Sequence, residues 1–571
     1  MTTPQWVGET DIDAVVVLAI DDMRDPLRYE RFLRPLLDRL KRYQRFAGFS
    51  IMTNRVDPYD PQLLFWQREG GSIEVHTLTH PCPLLQRGQL YEAKRSVDGC
   101  IDLLSRIPGP GPVAYRMPCC DSMNSVSPRF FDLIFNRTTP NGQFLQIDSS
   151  VFCVLDESDP DLPDELVVDA FGRPRFRKYI PVDRWMANLI DNYPYPYVIG
   201  RLAWEFPCLM PSDWDAQYLH GPNNEATVTD WIAALKAIAR KQGTLNLVFH
   251  PHGWIRSEQV ARLVDVAEKE LKGRVRFLSF RAALERLNRH LLAGNPLRAE
   301  DGTDNGVRLL DVNADGYMDV LIGNDRVRRT RVWDPVRRSW RESGLPLQFV
   351  TRSQGSSVQR HVCFGTVSAD GAACMVYVSD KERQMWVWRQ GWQELKGALA
   401  LVAEGRSDRA GRDGGLRLYD VDADGICELI DGGSEGGSVY HWNPSRNRWE
   451  PARYRLPAGV RIVDALGRDA GFRFVDLDGD HRADILYSDP FRCAVYLFAT
   501  RQAGWQRVRS EARSEPMGEA LLPPFVRLDG SHNGVWFRDG YLWVQNEQTG
   551  GKLENHVRRV KLRALLEPAM R

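Results

Sequence analysis

Short apolar runs rich in β-branched residues alternate with longer amphipathic segments between residues 14 and 292. The short runs predict strands buried on both faces, the clearest at residues 15–20, 48–52, 72–75, 113–115, 246–249 and 275–278. Between the first two runs, Leu33, Leu36, Leu37 and Leu40 recur at helical spacing. This alternation predicts a barrel-like α/β fold, in which functional side chains gather at the carboxyl ends of parallel strands.

The pattern becomes a repeat in the second half of the chain. The acidic segments DVNADG, DVDADG and DLDGDH begin at Asp311, Asp420 and Asp476. The distance from Asp311 to Asp420 is about twice the distance from Asp420 to Asp476, so a further copy is expected midway between the first two. The degraded segment TVSADG begins there, at Thr366. A fifth and more decayed unit is expected at residues 525–531.

Each acidic segment follows one short apolar strand and precedes others, and aromatic residues recur late in the unit, as at Trp333 and Trp442. Four short strands per repeat predict one propeller blade, and the number of repeats predicts about five blades. The number of blades would change if strands from both termini together completed one blade. We therefore predict two domains, a β/α barrel over residues 1–295 and an all-β propeller over residues 296–571. The chain of 571 residues is long enough for both.

The acidic loops carry oxygen ligands at alternate positions, with glycine allowing a tight turn, which is what a hard and flexible cation such as calcium requires. The first, third, fifth and ninth residues of the three best copies are the candidate calcium ligands: Asp311, Asn313, Asp315 and Asp319; Asp420, Asp422, Asp424 and Glu428; Asp476, Asp478, Asp480 and Asp484. A single copy would be equally well explained as a polar turn between strands. Three copies in phase favour ion binding.

In the degraded copy, Thr366 and Cys374 stand at ligand positions, so no ion is expected there. These units resemble FG-GAP repeats, the calcium-loop propeller blades of integrin-like and bacterial surface proteins, over roughly residues 305–550. The resemblance implies that calcium is structural and that the disc recognises or positions another molecule. The sequence does not identify that partner.

Charge and composition exclude several classes of protein. Lys and Arg (75) balance Asp and Glu (75), so no global field favours nucleic acid or an anionic membrane. The apolar run at residues 15–20 is too short to span a bilayer, and we expect no integral membrane protein. The absence of a CxxC pair excludes a zinc ribbon, although isolated disulfides stay possible. No secretory signal is recognised, so the protein either stays in the cytoplasm or starts after its signal; calcium loops favour an extracytoplasmic location.

Candidate catalytic chemistry lies at the ends of four predicted strands. Asp21 and Asp22 follow the first strand, and His76 and His80 follow the third at a spacing that lets both imidazoles meet one cation. One carboxylate and two imidazoles predict an open divalent site, as metal-assisted hydrolysis requires. Two further strands end at Arg116 and at His250. His252 lies two residues after His250 and is a competing candidate for a general acid.

The order Asp-Asp, HxxxH, RxP and LxxH resembles the polysaccharide deacetylases, carbohydrate esterase family 4, over roughly residues 12–292. The resemblance implies a distorted β/α barrel that deacetylates a glycan with zinc or another divalent ion. It implies the following roles: Asp21 is the general base, Arg116 orients it, His250 is the general acid, and Asp22, His76 and His80 hold the metal.

Two parts of the family pattern are altered here. Cys119 stands where the family has an aromatic residue after the proline of RxP, and the resemblance implies that its backbone N–H helps to bind the substrate oxyanion. For the family's acidic motif followed by Trp, Asp148 is the better-placed candidate for a substrate-binding residue, and Asp213 keeps the Asp-Trp pair at a later position.

The leading hypothesis is a metal-dependent deacetylase of an N- or O-acetylated polysaccharide, with a propeller that binds or positions the substrate. One alternative is a carbohydrate-binding or adhesion protein with an inactive barrel. Another is a hydrolase that cleaves a non-sugar C–N bond with the same metal site.

Overall fold

The computed structural model describes residues 3, 6–82, 84–85, 90–119, 127–180, 189–353, 356–402, 412–433, 436–538, 540–546, 549 and 558–567. Met1 aside, the chain divides into two compact units. The first unit comprises residues 2–302 with 545–557, and the second unit comprises residues 303–544 with 558–571. The main division between the two units falls after Gly302.

Twelve strands of the first unit share one sheet. They are β1 (Ala14–Met23), β2 (Phe49–Thr53), β3 (Gly71–Val75), β4 (Ala114–Tyr115), β5 (Ile147–Asp148), β6 (Phe152–Val154), β7 (Leu189–Asp191), β8 (Tyr197–Ile199), β9 (Ala203–Glu205), β10 (Cys208–Leu209), β11 (Thr244–Phe249) and β12 (Val275–Phe277). Their order is β7-β6-β10-β11-β1-β2-β3-β4-β5-β9-β8, and β12 pairs with the start of β1. Only β8 and β9 pair antiparallel among these described strands, and the two ends of the sheet do not pair with each other. This open, mixed sheet fits the distorted barrel fold.

The central strand β1 explains both the apolar sequence pattern and the location of the site. It lies between β11 and β2, with Ile20 opposite Phe249 on one side and Ile51 on the other. Residues 15–20 have almost no exposed surface, which is why they form a continuous apolar run. Because the neighbouring strands are parallel, the residues that end β1, β3, β4 and β11 meet at one edge of the sheet.

Helices connect the strands. They are α1 (Pro26–Gln44), α2 (Pro61–Glu69), α3 (Leu90–Leu104), α4 (Pro128–Phe130), α5 (Asp164–Val167), α6 (Asp213–His220), α7 (Glu225–Lys241), α8 (Ser257–Lys269) and α9 (Phe280–Arg286). The side chain of Asp25 caps the first turn of α1, and the four leucines predicted to form its buried face are fully buried. No helix within the described ranges is long and apolar enough to cross a membrane.

The second unit consists of small antiparallel sheets built from consecutive strands. The strands are, in chain order, β13 (Val307–Leu310), β14 (Asp319–Gly323), β15 (Arg328–Asp334), β16 (Ser339–Gly344), β17 (Val350–Ser353), β18 (Ser356–Gln359), β19 (Cys363–Thr366), β20 (Ala373–Val378), β21 (Arg383–Trp388), β22 (Trp392–Glu394), β23 (Leu416–Tyr419), β24 (Glu428–Asp431), β25 (Ser438–Asn443), β26 (Arg448–Arg455), β27 (Phe472–Val475), β28 (Asp484–Ser488), β29 (Arg492–Thr500), β30 (Gly504–Ala512), β31 (Val535–Arg538), β32 (Tyr541–Val544) and β33 (Arg558–Lys561). Strands β13–β16, β19–β22, β23–β26 and β27–β30 form four-stranded sheets, β17 and β18 a hairpin, and β31–β33 a three-stranded sheet. Four of these sheets have the four strands predicted for a repeat unit, and their closure into a propeller of about five blades stays a prediction.

The segment expected as a fifth and more decayed unit differs from the acidic loops in its place relative to the strands. Residues 525–531 precede β31, and an isolated bridge between Val526 and His532 closes this segment. An equivalent bridge between Val463 and Asp469 closes the connection before β27. The segment is therefore a link between sheets, and its Asp-Gly turn resembled the acidic loops only in composition.

Three of the sheets begin with an Asp-x-Gly-x-Arg motif that was not identified from the sequence. In the first, Asp304 accepts two hydrogen bonds from the Arg308 guanidinium and one from the backbone N–H of Gly306. The same bonds recur at residues 413–417 and 469–473. Gly306 has φ 70°, and a Cβ there would lie 2.4 Å from a backbone oxygen at the end of β14. Glycine is therefore required at this position.

Candidate metal centre

Asp22 and the two histidines of the HxxxH segment lie together at the edge of the sheet. The Nε2 atom of His80 is 2.9 Å from Oδ1 of Asp22, and that of His76 is 3.4 Å from the same oxygen. One potential ligand atom from each residue lies within 4.8 Å of the others. Oδ1 of Asp22 is buried and has no hydrogen-bond partner among the described residues, which fits an oxygen directed at a cation.

The tautomer of His76 also fits metal binding. Its Nδ1 atom lies 2.9 Å from the carbonyl oxygen of Arg116, and a carbonyl only accepts, so Nδ1 carries the proton. The lone pair is then on Nε2, which faces Asp22. The donor set of one carboxylate and two imidazoles is compatible with zinc and other divalent transition metals.

The loops that present these groups contain several non-glycine residues in the left-handed backbone region. Asp22 has φ 67°, Thr77 φ 63°, His80 φ 54° and Cys119 φ 64°. Such conformations are unfavourable for L-residues and cluster at functional sites because the surrounding structure holds them. Here Asn54 holds one of these loops, since its side-chain amide donates to the carbonyl oxygens of His76 and Thr77.

Asp21 and Arg116 form a buried ion pair beside the histidines. The guanidinium of Arg116 donates to Oδ1 of Asp21 at 2.8 Å, to both oxygens of Ser149 and to the side-chain oxygen of Asn246. The phenol of Tyr29 donates to the carbonyl oxygen of Asp21. Arg116 is therefore fully hydrogen-bonded and holds the carboxylate of Asp21 in one orientation.

His250, at the end of β11, pairs with Asp213 at the start of α6. Its Nδ1 atom lies 2.8 Å from Oδ1 of Asp213, and its backbone N–H donates to Oδ2. Burial lowers the pKa of His250, but the charge and hydrogen bond of Asp213 outweigh it, aided by Asp21 and Asp22, and raise the pKa to about 9. An imidazolium is thus favoured at neutral pH, with Nε2 left for proton transfer. Of the two candidates for the acidic motif, Asp213 is the one that contacts His250.

His252 contacts the second carboxylate oxygen of Asp22, whereas His76 and His80 lie near the first. Its Nε2 atom is 3.1 Å from Oδ2 of Asp22. Burial raises the pKa of the Asp22 carboxyl, but the hydrogen bond with His252 and the close imidazoles of His76 and His80 together hold that pKa well below its ordinary range. Asp22 is therefore the shared anion of three imidazoles.

Cys119 forms a disulfide with Cys82 that the sequence analysis did not identify. The bridge joins the loop just after His80 to the loop just after Arg116, so it connects two segments of the candidate site. The two cysteines are 37 residues apart, and cross-linking a loop of this length stabilises a fold by about 3–4 kcal/mol on the chain-entropy model. The proposed contact between the Cys119 backbone N–H and an oxyanion stays a prediction.

Asp148 lies beneath the site. It is fully buried at the end of β5, accepts a hydrogen bond from Ser150, and lies opposite Glu205 on the neighbouring strand. Burial raises the pKa of Asp148 to about 6 and that of Glu205 well above its usual range. Ser150 in turn accepts the backbone N–H of Met117. These contacts support the loop after β4, and the substrate contact expected for Asp148 stays a prediction.

The three acidic loops of the second unit share two features: the first carboxylate accepts two backbone N–H groups of its own loop, and the ninth accepts the backbone N–H of the second residue. In the first, the carboxylate of Asp311 accepts the backbone N–H groups of Asp315 and Gly316. Asp319 is fully buried and accepts two further backbone N–H groups, so it ties the loop to β15. Oδ1 of Asn313 is buried and has no hydrogen-bond partner in the described part of the chain, as expected for a ligand oxygen.

In each of the other two loops, three carboxylates converge. The groups Asp420, Asp422 and Glu428, and Asp476, Asp478 and Asp484, each place one oxygen per residue within 4.8 Å of the others. In the Asp420 loop, Arg501 forms ion pairs with Asp422 and Asp424. In the Asp476 loop, Arg482 pairs with Asp480.

The ninth residue of each loop has a raised pKa, because burial disfavours its charged form. The value is about 7 for Asp319 and about 6 for Asp484, and the pKa of Glu428 is also raised. Neighbouring loop carboxylates contribute in the same direction. A bound cation would relieve both effects.

Comparison with known proteins gives one family match within the first unit. Residues 8–128 match the family model described as polysaccharide deacetylase. The chain is 31% identical over 104 residues to the peptidoglycan-N-acetylmuramic acid deacetylase PdaC of Bacillus subtilis (strain 168), which is 18% of this chain and 21% of PdaC. The chain thus spans about a fifth of the length of this curated relative.

Solved structures that resemble the chain include PdaC from Bacillus subtilis, with 16% identity, a TM-score of 0.25 and coverage of 48% of this chain and 90% of that one. The polysaccharide deacetylase Bc1974 from Bacillus cereus has 14% identity, a TM-score of 0.25 and coverage of 47% and 91%. Puue allantoinase has 10% identity, a TM-score of 0.34 and coverage of 50% and 94%. Residues 8–128 are therefore similar to the polysaccharide deacetylase family, a similarity that rests on the family match and not on these low TM-scores.

Proposed function

We propose that the first unit is a metal-dependent hydrolase that removes acetyl groups from an acetylated polysaccharide. The observation that carries the proposal is the buried and unpartnered Oδ1 of Asp22, which faces His76 and His80 beside the Asp21–Arg116 pair. The deacetylase family match over residues 8–128 supports the same chemistry.

Each residue of the site has a proposed role. Asp22, His76 and His80 would hold a divalent cation, which when bound supplies Lewis-acid activation for attack by water on the acetyl carbonyl. Asp21, held by Arg116, takes the proton of the attacking water. His250, kept protonated by Asp213, returns a proton to the leaving amine or alcohol.

Acetate release tests this proposal. We expect the full chain, loaded with zinc, to release acetate from acetylated chito-oligosaccharide or acetylated xylan, to lose this activity in EDTA, and to regain it when zinc is restored. Absence of acetate release from every acetylated glycan, with zinc bound, would contradict the proposal. Release of an amine from a non-sugar amide under those conditions would instead support the C–N hydrolase alternative.

For the second unit, we propose an FG-GAP-like propeller of about five blades, within a domain of residues 296–571, that binds calcium in its acidic loops and positions the substrate or another molecule. The repeated loop geometry and the unpartnered Oδ1 of Asn313 support calcium binding. The barrel domain would then comprise residues 1–295.

Calcium should stabilise the second unit more strongly at alkaline than at acidic pH. Without a cation, the raised pKa values of Asp319 (about 7) and Asp484 (about 6) mean that folding favours their protonated forms. That stabilisation is complete below the ordinary carboxyl pKa of about 4 and is lost as the pH rises through 6 to 7. At a free concentration a hundred times its dissociation constant, calcium should raise the free energy of unfolding by about 2.7 kcal/mol. This corresponds to roughly 5–10 °C in melting temperature. Calorimetry at pH 8 and pH 5, with calcium or EDTA, measures the effect; an equal shift at both pH values would contradict it.

An extracytoplasmic location is proposed on two grounds. The Cys82–Cys119 disulfide is stable in oxidising compartments, whereas cytosolic thiols are kept reduced. Calcium loops and a polymeric glycan substrate also favour an environment outside the cytoplasm.

A further inference from the structure

The loop that follows β11 is fixed by three groups from other parts of the first unit. Asp213 accepts the first backbone N–H of the loop. Arg28 donates to the carbonyl oxygen of Pro251 at 2.8 Å, and Asn223 donates to that of Gly253 at 3.0 Å. The backbone around His252 is therefore held in place independently of any ligand.

The imidazole of His252 is also fixed by its neighbours. It stacks on the ring of His250 at a centroid distance of 5.4 Å and meets the edge of Trp254 at 5.2 Å. In this orientation Nε2 lies 3.1 Å from Oδ2 of Asp22. Because a carboxylate oxygen only accepts, Nε2 carries the proton in this bond.

The two oxygens of Asp22 thus have different surroundings. Oδ2 is hydrogen-bonded to His252, whereas Oδ1 faces His76 and His80 and lacks a hydrogen bond in the described structure. A carboxylate that binds a metal through one oxygen is usually held by a hydrogen bond at the other. His252 is not part of the group whose ligand atoms converge within 4.8 Å.

We propose that His252 is a positioning residue, whose Nε2–H donates to Oδ2 of Asp22 and directs Oδ1 toward the cation shared with His76 and His80. This inference rests on the proposed metal-dependent function. It also separates the two histidines that follow β11, because the Nε2 of His252 is used at Asp22 while that of His250 serves proton transfer.

The test is zinc affinity, measured on the full chain by competition with a chromophoric chelator at neutral pH. His252→Ala removes the donor and should weaken zinc binding about 10- to 100-fold, the range typical of lost outer-shell partners. His252→Gln places an amide N–H near the position of Nε2 and should regain most of the affinity. His220→Gln, at a half-buried histidine that bonds Tyr179 instead, is the matched control and should bind zinc as the unchanged protein does.

Three outcomes overturn the inference. If His252→Ala binds zinc as tightly as the unchanged protein, the hydrogen bond does not position the ligand. If Ala and Gln variants lose affinity equally, the imidazole acts in another way, such as direct coordination. If the unchanged protein neither binds zinc nor releases acetate, the proposed function fails together with this inference. If the unchanged protein binds zinc and releases acetate, a negative result with the His252 variants concerns this inference alone. A thermal unfolding scan of each variant shows that the fold is retained.

Discussion

Replacing Asp22 with asparagine is expected to reduce acetate release at least about a thousandfold and to abolish tight zinc binding. The substitution keeps the size of the side chain and suits the backbone, because asparagine tolerates the left-handed conformation that Asp22 adopts at φ 67°. What it removes is the negative charge facing His76 and His80. Metal activation contributes several kcal/mol to catalysis, and each 1.36 kcal/mol is a factor of ten in rate.

Asp25→Asn provides the control for this variant. Asp25 lies three residues away and caps α1 by accepting a hydrogen bond from the backbone N–H of Arg28, which asparagine also does. We expect this variant to keep full zinc binding and activity. Undiminished acetate release by the Asp22 variant, measured together with its zinc content, would show that catalysis does not use this site.

Replacing Asp213 with asparagine is expected to move the alkaline limb of the pH–rate profile to lower pH. Asp213 is the main cause of the raised pKa of His250, about 9, so its neutral replacement lets that pKa fall toward the ordinary value of 6.5. A general acid must be protonated, and activity is lost as the pH rises through its pKa. The variant should therefore lose about 10- to 100-fold in kcat/KM at pH 8 and much less at pH 6.

The comparison requires full pH profiles of kcat/KM for both proteins. Asp265→Asn, at a partly exposed carboxylate on α8 that pairs with Arg39, is the control and should leave the profile unchanged. A uniform loss of rate in the Asp213 variant at all pH values would mean that Asp213 orients His250 without setting its protonation.

The strand-end residues were predictable because their geometry follows from the fold class. Once the apolar runs predict parallel strands, residues that end different strands must share one edge of the sheet. Asp22, His76 and His80 do meet there, and Arg116 contacts Asp21 as expected. The leucine pattern of α1 was equally reliable, since helical spacing directly determines which side chains are buried.

Other features depended on contacts that sequence spacing does not encode. Asp213 reaches His250 from a helix that precedes β11, and its Asp-Trp pair does not by itself show that it, and not Asp148, contacts His250. The Cys82–Cys119 bridge joins two loops whose proximity follows only from the pairing of β3 with β4. The LxxH spacing favoured His250 over His252, but the different partners of the two side chains, Asp213 and Asp22, are seen only in the structure.

The central position of β1 has a consequence for any shortened form of the protein. A fragment limited to residues 8–128 would retain Asp22, His76 and His80 but would lack β11, which pairs with β1 from Val15 to Ile20. The N–H and C=O groups on that side of a very apolar strand would then be exposed to solvent. Such an edge recruits strands from other molecules, so the fragment should precipitate or form aggregates instead of behaving as a minimal enzyme.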